Sequence, residues 1–289
     1  MRLKYLGTGA AEGIPAMFCN CELCRRAKAM GGKEIRSRSQ ALINDDLLID
    51  FGPDVYWHVC RYGLDLAKIR TLLITHAHED HYTPSELCYR KQPFAYLSGD
   101  KTADNYDFPT LDIYLSEGSF SYEGARFYHE TELAGGKAPM VYHTVKAFCP
   151  FTAGRYTVTP LTANHAPGFE ALLYLISDGR STLLYAHDTG LLPEETCDYL
   201  ADTKPHIDFA SFDCTGMASG HNTGGGRHMN LERNEATRDR LLALGCADGD
   251  TVWCCNHFSH NGKSTHAELT EIMAAHGFLV AYDGMEAEF

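Results

Sequence analysis

Hydrophobic residues along the chain fall into short runs of four to seven residues, each bounded by turn-forming or charged residues. Short runs that are rich in β-branched and aromatic residues are typical of β-strands. The runs on either side of residues 44–46 and of residues 177–180 are each predicted to pair as a β-hairpin, because these segments contain turn residues. The predicted strands cover residues 2–6, 40–43, 47–50, 69–74, 156–162, 171–176, 181–186, 207–212 and 251–255.

Longer segments with helical periodicity lie between these strands. One of them is expected to start after Ser264, with Glu268 in its first turn, and to end at Gly277. The predicted order along the chain is strands, a helix and more strands, followed by strand–helix alternation. This order predicts two sheets packed face to face with helices outside. No linker divides the chain, so residues 1–289 are expected to form a single domain. The predicted helices cover residues 83–97, 192–203, 230–245 and 264–277.

The composition is that of a globular protein with a buried core, at 44% hydrophobic and 22% charged residues. No apolar run approaches the roughly 20 residues that cross a bilayer, and the N-terminus lacks the basic-then-apolar layout of a secretory signal. We therefore expect a cytoplasmic protein with no membrane partner. The 11 cysteines are an odd number, which indicates thiols and metal ligands rather than a disulfide framework.

The net charge of −13 bears on the partners of the protein. Proteins that bind a long polyanion usually have a basic surface, because phosphate contacts dominate nucleic-acid affinity. A nucleic-acid partner is therefore disfavoured and a small substrate is expected. The sequence does not fix the oligomeric state, and a homodimer is compatible with it.

The segment Ile-Thr-His-Ala-His-Glu-Asp-His (74–81) concentrates titratable side chains directly after a predicted strand. His76, His78, Asp80 and His81 can turn several nitrogen and oxygen atoms toward one point. Imidazole and carboxylate together suit Zn²⁺, Mn²⁺ or Fe²⁺. The segment is therefore predicted to be part of a metal site rather than a polar surface loop.

Further polar residues follow other predicted strands. Four of them lie at the end of an apolar run or within a few residues after it: Asp50, His165, Asp188 and His257. Taken singly, each is explained as well by an ordinary hydrogen-bonded side chain. Their recurrence at strand ends favours a shared site.

Five motifs resemble, in their order and separations, those of metallo-β-lactamase-fold hydrolases. They are Leu-Ile-Asp-Phe-Gly, Thr-His-Ala-His-Glu-Asp-His, Asn-His, His-Asp-Thr-Gly and Asn-His-Phe-Ser. The resemblance implies an α/β fold, a four-layer αββα sandwich with two divalent metal ions, Zn or Mn, at one edge of the sheets. Such cations lower the pKa of a bridging water and supply hydroxide at neutral pH, which Asp80 would orient. The implied ligands are His76, His78 and His165 for one metal, Asp80, His81 and His257 for the other, and Asp188 for both, with Asp50 orienting a ligand histidine.

A second candidate site is Cys-x-Cys-x-x-Cys near the N-terminus, formed by Cys19, Cys21 and Cys24. Three thiolates within six residues indicate zinc, which takes a fourth ligand in tetrahedral sites. His260, three residues after His257, is the predicted fourth ligand. Together with Gly-Thr-Gly and His-x-x-His, the cluster resembles the PhnP-type phosphodiesterases of the RNase Z-like branch, and this resemblance implies a structural zinc at these four residues.

His228 lies directly before a predicted helix, and the same resemblance implies that it contacts phosphate and donates a proton to the leaving group. Asp213 is either a residue that supports the site or a simple strand-end acid. The glycine-rich segment 220–226, with His221, is expected at the mouth of the site. The aromatic-rich segment 98–152 is expected to shape the pocket.

These observations predict a metal-dependent hydrolase, a phosphodiesterase that cleaves a small linear or cyclic phosphate ester. Two alternatives stay open. One is a nuclease that resembles the tRNA 3′-processing enzymes, and the other is a carbonyl-ester hydrolase such as a lactonase or thioesterase, because the same dinuclear centre supports acyl transfer.

Overall fold

Two seven-stranded sheets form the centre of the computed structural model, which describes residues 1–91, 93–96, 110–122, 139–219 and 224–289. The strands of the first sheet are β1 (Arg2–Gly7), β2 (Gln40–Ile43), β3 (Leu47–Ile49), β4 (Thr71–Leu73), β5 (Leu111–Ser116), β6 (Met140–Val145) and β14 (Glu286–Glu288). Those of the second sheet are β7 (Phe151–Ala153), β8 (Tyr156–Thr162), β9 (Leu172–Ser177), β10 (Thr182–Ala186), β11 (Phe209–Asp213), β12 (Val252–Asn256) and β13 (Leu279–Val280).

Each sheet has an antiparallel half and a parallel half. The first sheet has the order β14-β1-β2-β3-β4-β5-β6, and the second has the order β13-β12-β11-β10-β9-β8-β7. The pairs from β3 to β6 and from β10 to β13 are parallel. Parallel neighbours end at the same edge of a sheet, so the loops after β4, β10 and β12 all leave the sandwich on one side.

Helices cover the outer faces of the two sheets. Their apolar faces pack in two separate clusters, one on each sheet, while a third cluster fills the space between the sheets. This arrangement confirms the expected αββα sandwich. The described helices are α1 (Glu22–Met30), α2 (Val55–Tyr62), α3 (Pro84–Leu87), α4 (Glu117–Phe120), α5 (Glu194–Thr203), α6 (Leu231–Leu244) and α7 (His266–Ala275).

The layer between the sheets contains tyrosines whose hydroxyl groups are hydrogen-bonded. The Tyr5 hydroxyl lies 2.7 Å from Ser211 Oγ, and the Tyr174 hydroxyl donates to the carbonyl of Ile74 over 2.7 Å. Buried polar atoms are costly without such partners. These bonds connect the two sheets below the edge from which the polar loops leave.

Two predicted helices differ from the observed ones. Among the described residues of the helix expected over 83–97, the structure shows the single turn α3, in which Pro84 and Leu87 are buried. The last helix begins one residue later than expected. Thr265 is its N-cap, since only a residue three positions before Glu268 can form the capping box that the structure shows.

Several elements escaped sequence-based prediction. α1 and α2 are helices of only nine and eight residues, and β5 and β6 lie within the segment 98–152 that was expected only to shape the pocket. Much of that segment, residues 98–109 and 123–138, is outside the described residues. No helix in the described part of the chain is long and apolar enough to span a membrane.

Candidate metal centre and active site

The predicted ligands occupy strand ends on one edge of the sandwich. The loop after β4 carries four of them, and His165, Asp188 and His257 follow β8, β10 and β12. Asp188 and His257 have left-handed backbone conformations, with φ of 52° and 60°. Asp and His tolerate this region better than most residues. The sharp turn that it produces redirects each side chain at the point where its strand ends.

Three imidazoles and one carboxylate form the first group. His76 Nε2 lies 2.8 Å from His78 Nδ1, and His165 Nε2 lies 3.1 Å from the same atom. Asp188 Oδ2 is 3.3 Å from His76 Nε2 and 3.7 Å from His165 Nε2. One ligand atom from each of these four residues lies within 4.8 Å of the others.

The second group shares Asp188 with the first. His81 Nε2 is 3.2 Å from Asp80 Oδ2 and 2.7 Å from Asp188 Oδ2. His257 Nε2 lies 3.2 Å from Asp188 Oδ1. The structure therefore brings together all seven residues in the two predicted sets, with one carboxylate between them.

Unsatisfied polar atoms show that cations fit these groups. Three ring nitrogens converge in the first group, and neutral imidazoles cannot all satisfy one another with their own protons. In the second, Asp188 Oδ1 and His257 Nε2 are buried and 3.2 Å apart, but they form no hydrogen bond with each other or with another described residue. A buried atom of this kind is costly unless something else binds it. Nitrogen and carboxylate oxygen together are suitable ligands for zinc or manganese.

The pKa values in the two groups differ with the local charge. Burial lowers the pKa of His76 to about 3, assisted by the nearby His81, so its imidazole is neutral and able to act as a ligand. Burial also lowers the pKa of His81, but the carboxylates of Asp80, Asp50 and Asp188 outweigh it and raise the pKa well above the usual value. A cation between these carboxylates would supply the positive charge that a protonated imidazole otherwise supplies.

Hydrogen bonds fix the far side of the ligand histidines. His81 Nδ1 lies 2.6 Å from Asp50 Oδ2, as expected for the acid after β3. Asp50 also accepts from the backbone and hydroxyl of Thr75, whose Oγ1 is 3.0 Å from His76 Nδ1. Such partners orient the ring and select which nitrogen faces the metal.

Thr75 and Thr215 were missed in the sequence. Thr215 Oγ1 lies 2.9 Å from His257 Nδ1, the same support that Thr75 gives to His76. Thr75 directly precedes the first ligand in Thr-His-Ala-His, which is the signal that could have identified it. Nothing in the sequence alone connects Thr215 with His257, because they lie on different strand ends.

His228 lies beside the second group and is held by Asp213. Its Nδ1 is 3.0 Å from Asp213 Oδ2 and 3.4 Å from Asp188 Oδ1. Burial lowers the pKa of His228, but Asp213 outweighs it and raises the pKa to about 9. Asp213 also accepts from the backbone amides of Thr215 and Met229. It is therefore a residue that supports the site, one of the two roles expected for it.

The four predicted residues of the second site also meet. His260 Nδ1 lies 3.4 Å from Cys19 Sγ and 3.4 Å from Cys21 Sγ, and Cys24 completes a group whose ligand atoms are within 4.8 Å of one another. Burial raises the pKa of Cys21, but hydrogen bonds led by His260 outweigh it and lower the pKa to about 6. A thiolate at neutral pH is the form that binds zinc.

A cavity of about 320 Å³ opens over the candidate metal ligands. Among the described residues no lysine or arginine lines it, and residues 220–223, including His221, lie outside the described part of the chain. Its polar wall contains side chains that no motif predicted. The lining residues other than metal ligands are Ala10, Ala11, Glu12, Thr215, Gly224, His228, Ser259 and Asn261.

Comparisons with known proteins identify the fold. No family model matches the chain. A segment of 85 residues is 34% identical to an octanoyltransferase of Porphyromonas gingivalis, covering 28% of this chain and 16% of that protein. A segment of 131 residues is 30% identical to coenzyme PQQ synthesis protein B of Methylobacterium radiotolerans, covering 41% and 44%. The matches thus span less than half the length of either relative.

Solved structures match over the whole chain. A diphosphatase from the PhnP family superimposes with a TM-score of 0.73 and 20% identity over 100% of this chain and 97% of that one. Zn²⁺-bound PqqB from Methylobacterium extorquens gives 0.72 and 17%, with 100% of both chains covered. The metallo-β-lactamase fold protein YhfI from Bacillus subtilis gives 0.65 and 18%, with 99% of both chains covered. This chain has the metallo-β-lactamase fold.

Proposed function

We propose that the protein is a metal-dependent hydrolase, and specifically a phosphodiesterase that acts on a small phosphate ester. The observation that carries the proposal is His228, whose imidazole lies 3.4 Å from the shared carboxylate Asp188 and is held by the buried Asp213. A hydrogen-bond donor beside a two-cation site suits the oxygens of a phosphoryl group.

The residues that would hold the cations are the two groups described above. His76, His78 and His165 belong to one, Asp80, His81 and His257 belong to the other, and Asp188 belongs to both. Two bound divalent cations would lower the pKa of a water molecule and neutralise charge on a phosphoryl oxygen. Zn-bound PqqB, which has the same fold, supports divalent-metal binding by a protein of this fold.

The chain's own residues have distinct tasks in this proposal. Asp80 would accept a hydrogen bond from the attacking water and orient it toward phosphorus. His228 Nδ1 donates to Asp213, which leaves Nε2–H as the donor for a phosphoryl oxygen or for the leaving-group oxygen. The pKa of His228, raised to about 9, keeps this proton in place at neutral pH.

The size and charge of the site support a small substrate. The cavity of about 320 Å³ is lined by no lysine or arginine within the described ranges, and the chain carries a net charge of −13. A long polyanion would need such cations along its path. The PhnP-family diphosphatase of the same fold also supports phosphate chemistry.

We propose in addition that Cys19, Cys21, Cys24 and His260 hold a structural zinc.

A substrate panel on protein of measured metal content tests this function. We expect turnover of bis-p-nitrophenyl phosphate and of small cyclic phosphodiesters, and loss of that turnover in His76→Ala and Asp80→Ala proteins that remain folded by circular dichroism. Lactones and thioesters are the comparison substrates. Faster turnover of these, or full phosphodiesterase activity in either variant, would contradict the proposal.

A precursor tRNA belongs in the same panel. Cleavage that weakens steeply with added salt is the signature of an enzyme that binds its substrate through many phosphates. We expect no cleavage of this RNA. Efficient, salt-dependent cleavage would show that the substrate is a nucleic acid.

A further inference from the structure

Glu12 lies between the two candidate metal sites and belongs to neither ligand set. It follows β1, and its Oε1 accepts a hydrogen bond from the hydroxyl of Ser259. The same oxygen is 3.7 Å from Nε2 of His260, which is ion-pair range rather than hydrogen-bond range. No described residue bonds to the second oxygen of Glu12, and its side chain is 31% exposed.

The opposite nitrogen of the same histidine faces the cysteine site. His260 Nδ1 lies 3.4 Å from both Cys19 Sγ and Cys21 Sγ, while Nε2 is the nitrogen that faces Glu12. A histidine that binds a metal through Nδ1 carries its proton on Nε2. That proton needs an acceptor, and a carboxylate in this position fixes the tautomer and the orientation of the ring.

Glu12 also faces the active-site cavity. Its carboxylate lines the cavity together with Ser259 and Asn261, and Ser259 Oγ accepts from both the backbone and the side-chain amide of Asn261 over 3.1 Å. The backbone amide of Ser259 donates to the carbonyl of Thr215, the residue that supports His257. One carboxylate therefore contacts the loop that carries the cysteine-site histidine and the wall of the cavity.

We propose that Glu12 is a positioning residue that couples the two sites. When the cysteine site is loaded, the 3.7 Å contact shortens and Glu12 accepts the Nε2 proton of His260. This contact holds Glu12, Ser259 and Asn261 in the arrangement that forms the cavity wall. The metal-binding half of this inference rests on the cysteine and histidine ligands and not on the reaction that the protein catalyses.

Cobalt binding measures the coupling independently of activity. Co²⁺ bound to thiolates gives a charge-transfer absorption that the histidine and aspartate groups cannot produce, so the band reports only the cysteine site. We expect Glu12→Ala to weaken Co²⁺ affinity at this site by about 10-fold or more, the usual cost of losing a partner of a ligand histidine. Glu12→Gln should recover part of the loss, because its amide oxygen still accepts the proton.

Two controls make the measurement specific. Glu195→Ala removes an exposed carboxylate on α5 and should leave the cobalt affinity unchanged. Circular dichroism of each variant checks that the protein is folded. Unchanged affinity in Glu12→Ala would overturn the inference, and complete absence of the thiolate band in the unsubstituted protein would overturn both the inference and the cysteine ligand set.

Kinetics test the other half, which does rest on the proposed function. Glu12→Ala and Cys21→Ser should each raise KM for bis-p-nitrophenyl phosphate by about threefold or more with a smaller change in kcat, and the double variant should add little to either. Additive effects on KM would show that the two residues act independently and would overturn the coupling. A protein that binds cobalt as expected but cleaves no phosphodiester would instead contradict only the proposed function.

Discussion

The two candidate metal sites differ in how much of the fold each one needs. The histidine and aspartate groups take ligands from four loops that follow β4, β8, β10 and β12, strands of both sheets. The cysteine site takes three ligands from one stretch of six residues and only His260 from elsewhere. The first site therefore exists only in the folded sandwich, whereas most of the second is local in sequence.

The sites also differ in burial and in support. Asp188, at the centre of the first site, is 3% exposed, and buried hydrogen-bond partners orient the rings around it. At the second site Cys21 is exposed, and it caps the first turn of α1 by accepting from the backbone amide of Cys24. The candidate histidine and aspartate site is therefore enclosed by the sandwich, whereas the cysteine cluster joins the loop before α1 to the loop after β12.

The largest effect is expected from Asp188→Asn, which removes the carboxylate shared by both cation positions. Asn tolerates the φ of 52° at this position, so the backbone should persist. We expect kcat/KM on phosphodiesters to fall by about 1,000-fold, since losing several kcal/mol of charge stabilisation corresponds to roughly that factor. Elemental analysis should show less metal per chain, with the cobalt–thiolate band unchanged. Loss of that band as well would mean that the two sites are not separable.

A smaller loss is expected from His228→Ala, which separates metal binding from proton donation within the first site. The variant should keep its metal content but lose about 100-fold in kcat, the usual contribution of a general acid. Asp213→Asn should have a weaker effect in the same direction, because the imidazole remains but loses its charged partner. Metal analysis and kinetics on one preparation check this. Depleted metal in His228→Ala would place it among the ligands instead.

Cys21→Ser should affect stability more than activity. We expect the loss of one zinc per chain. Tm should fall by about 7 °C when free zinc exceeds its Kd a thousandfold in the unsubstituted protein. Thermal unfolding with and without added zinc measures the difference. Cys60→Ser, an exposed cysteine on α2, is the matched control. A Tm that does not respond to zinc in the unsubstituted protein would contradict a structural role.

The smallest effect on the two candidate sites is expected at Asp283, a buried carboxyl that belongs to neither ligand set and whose titration affects stability instead. Burial raises its pKa to about 6, although it accepts hydrogen bonds from Ser37 and Thr8. The protonated Asp283 carboxyl contributes fully to the free energy of unfolding below the unfolded pKa of 3.8. This contribution is lost as the pH rises through about 6, because the folded state resists ionisation of the carboxyl. The total is roughly 3 kcal/mol.

Urea unfolding between pH 3.5 and pH 7.5 measures this contribution. Asp283→Asn cannot ionise, so the free energy of unfolding of the unsubstituted protein should fall relative to that of the variant as the pH rises through this window. A constant difference between the two proteins would show that Asp283 titrates normally in the fold.

Much of the architecture could be read from the chain. The hydrophobic runs identified most strands of both sheets, because a short buried run between turn residues has few other structures available. β5, β6, α1 and α2 could not be found in this way. α1 and α2 are only nine and eight residues long and bury few side chains, and β5 and β6 lie in an aromatic-rich segment. Tertiary packing therefore decides their conformation more than local pattern does.

The sequence by itself determined the kinds of chemistry: a dense histidine and aspartate run after one strand and three closely spaced cysteines. Both are local patterns, and local patterns need no knowledge of the fold. Only the tertiary structure decided that Thr215 supports His257 and that Glu12 lies between the two candidate sites. These relations join residues 42 to more than 240 positions apart, and the distance between such residues is set by the packing of the two sheets.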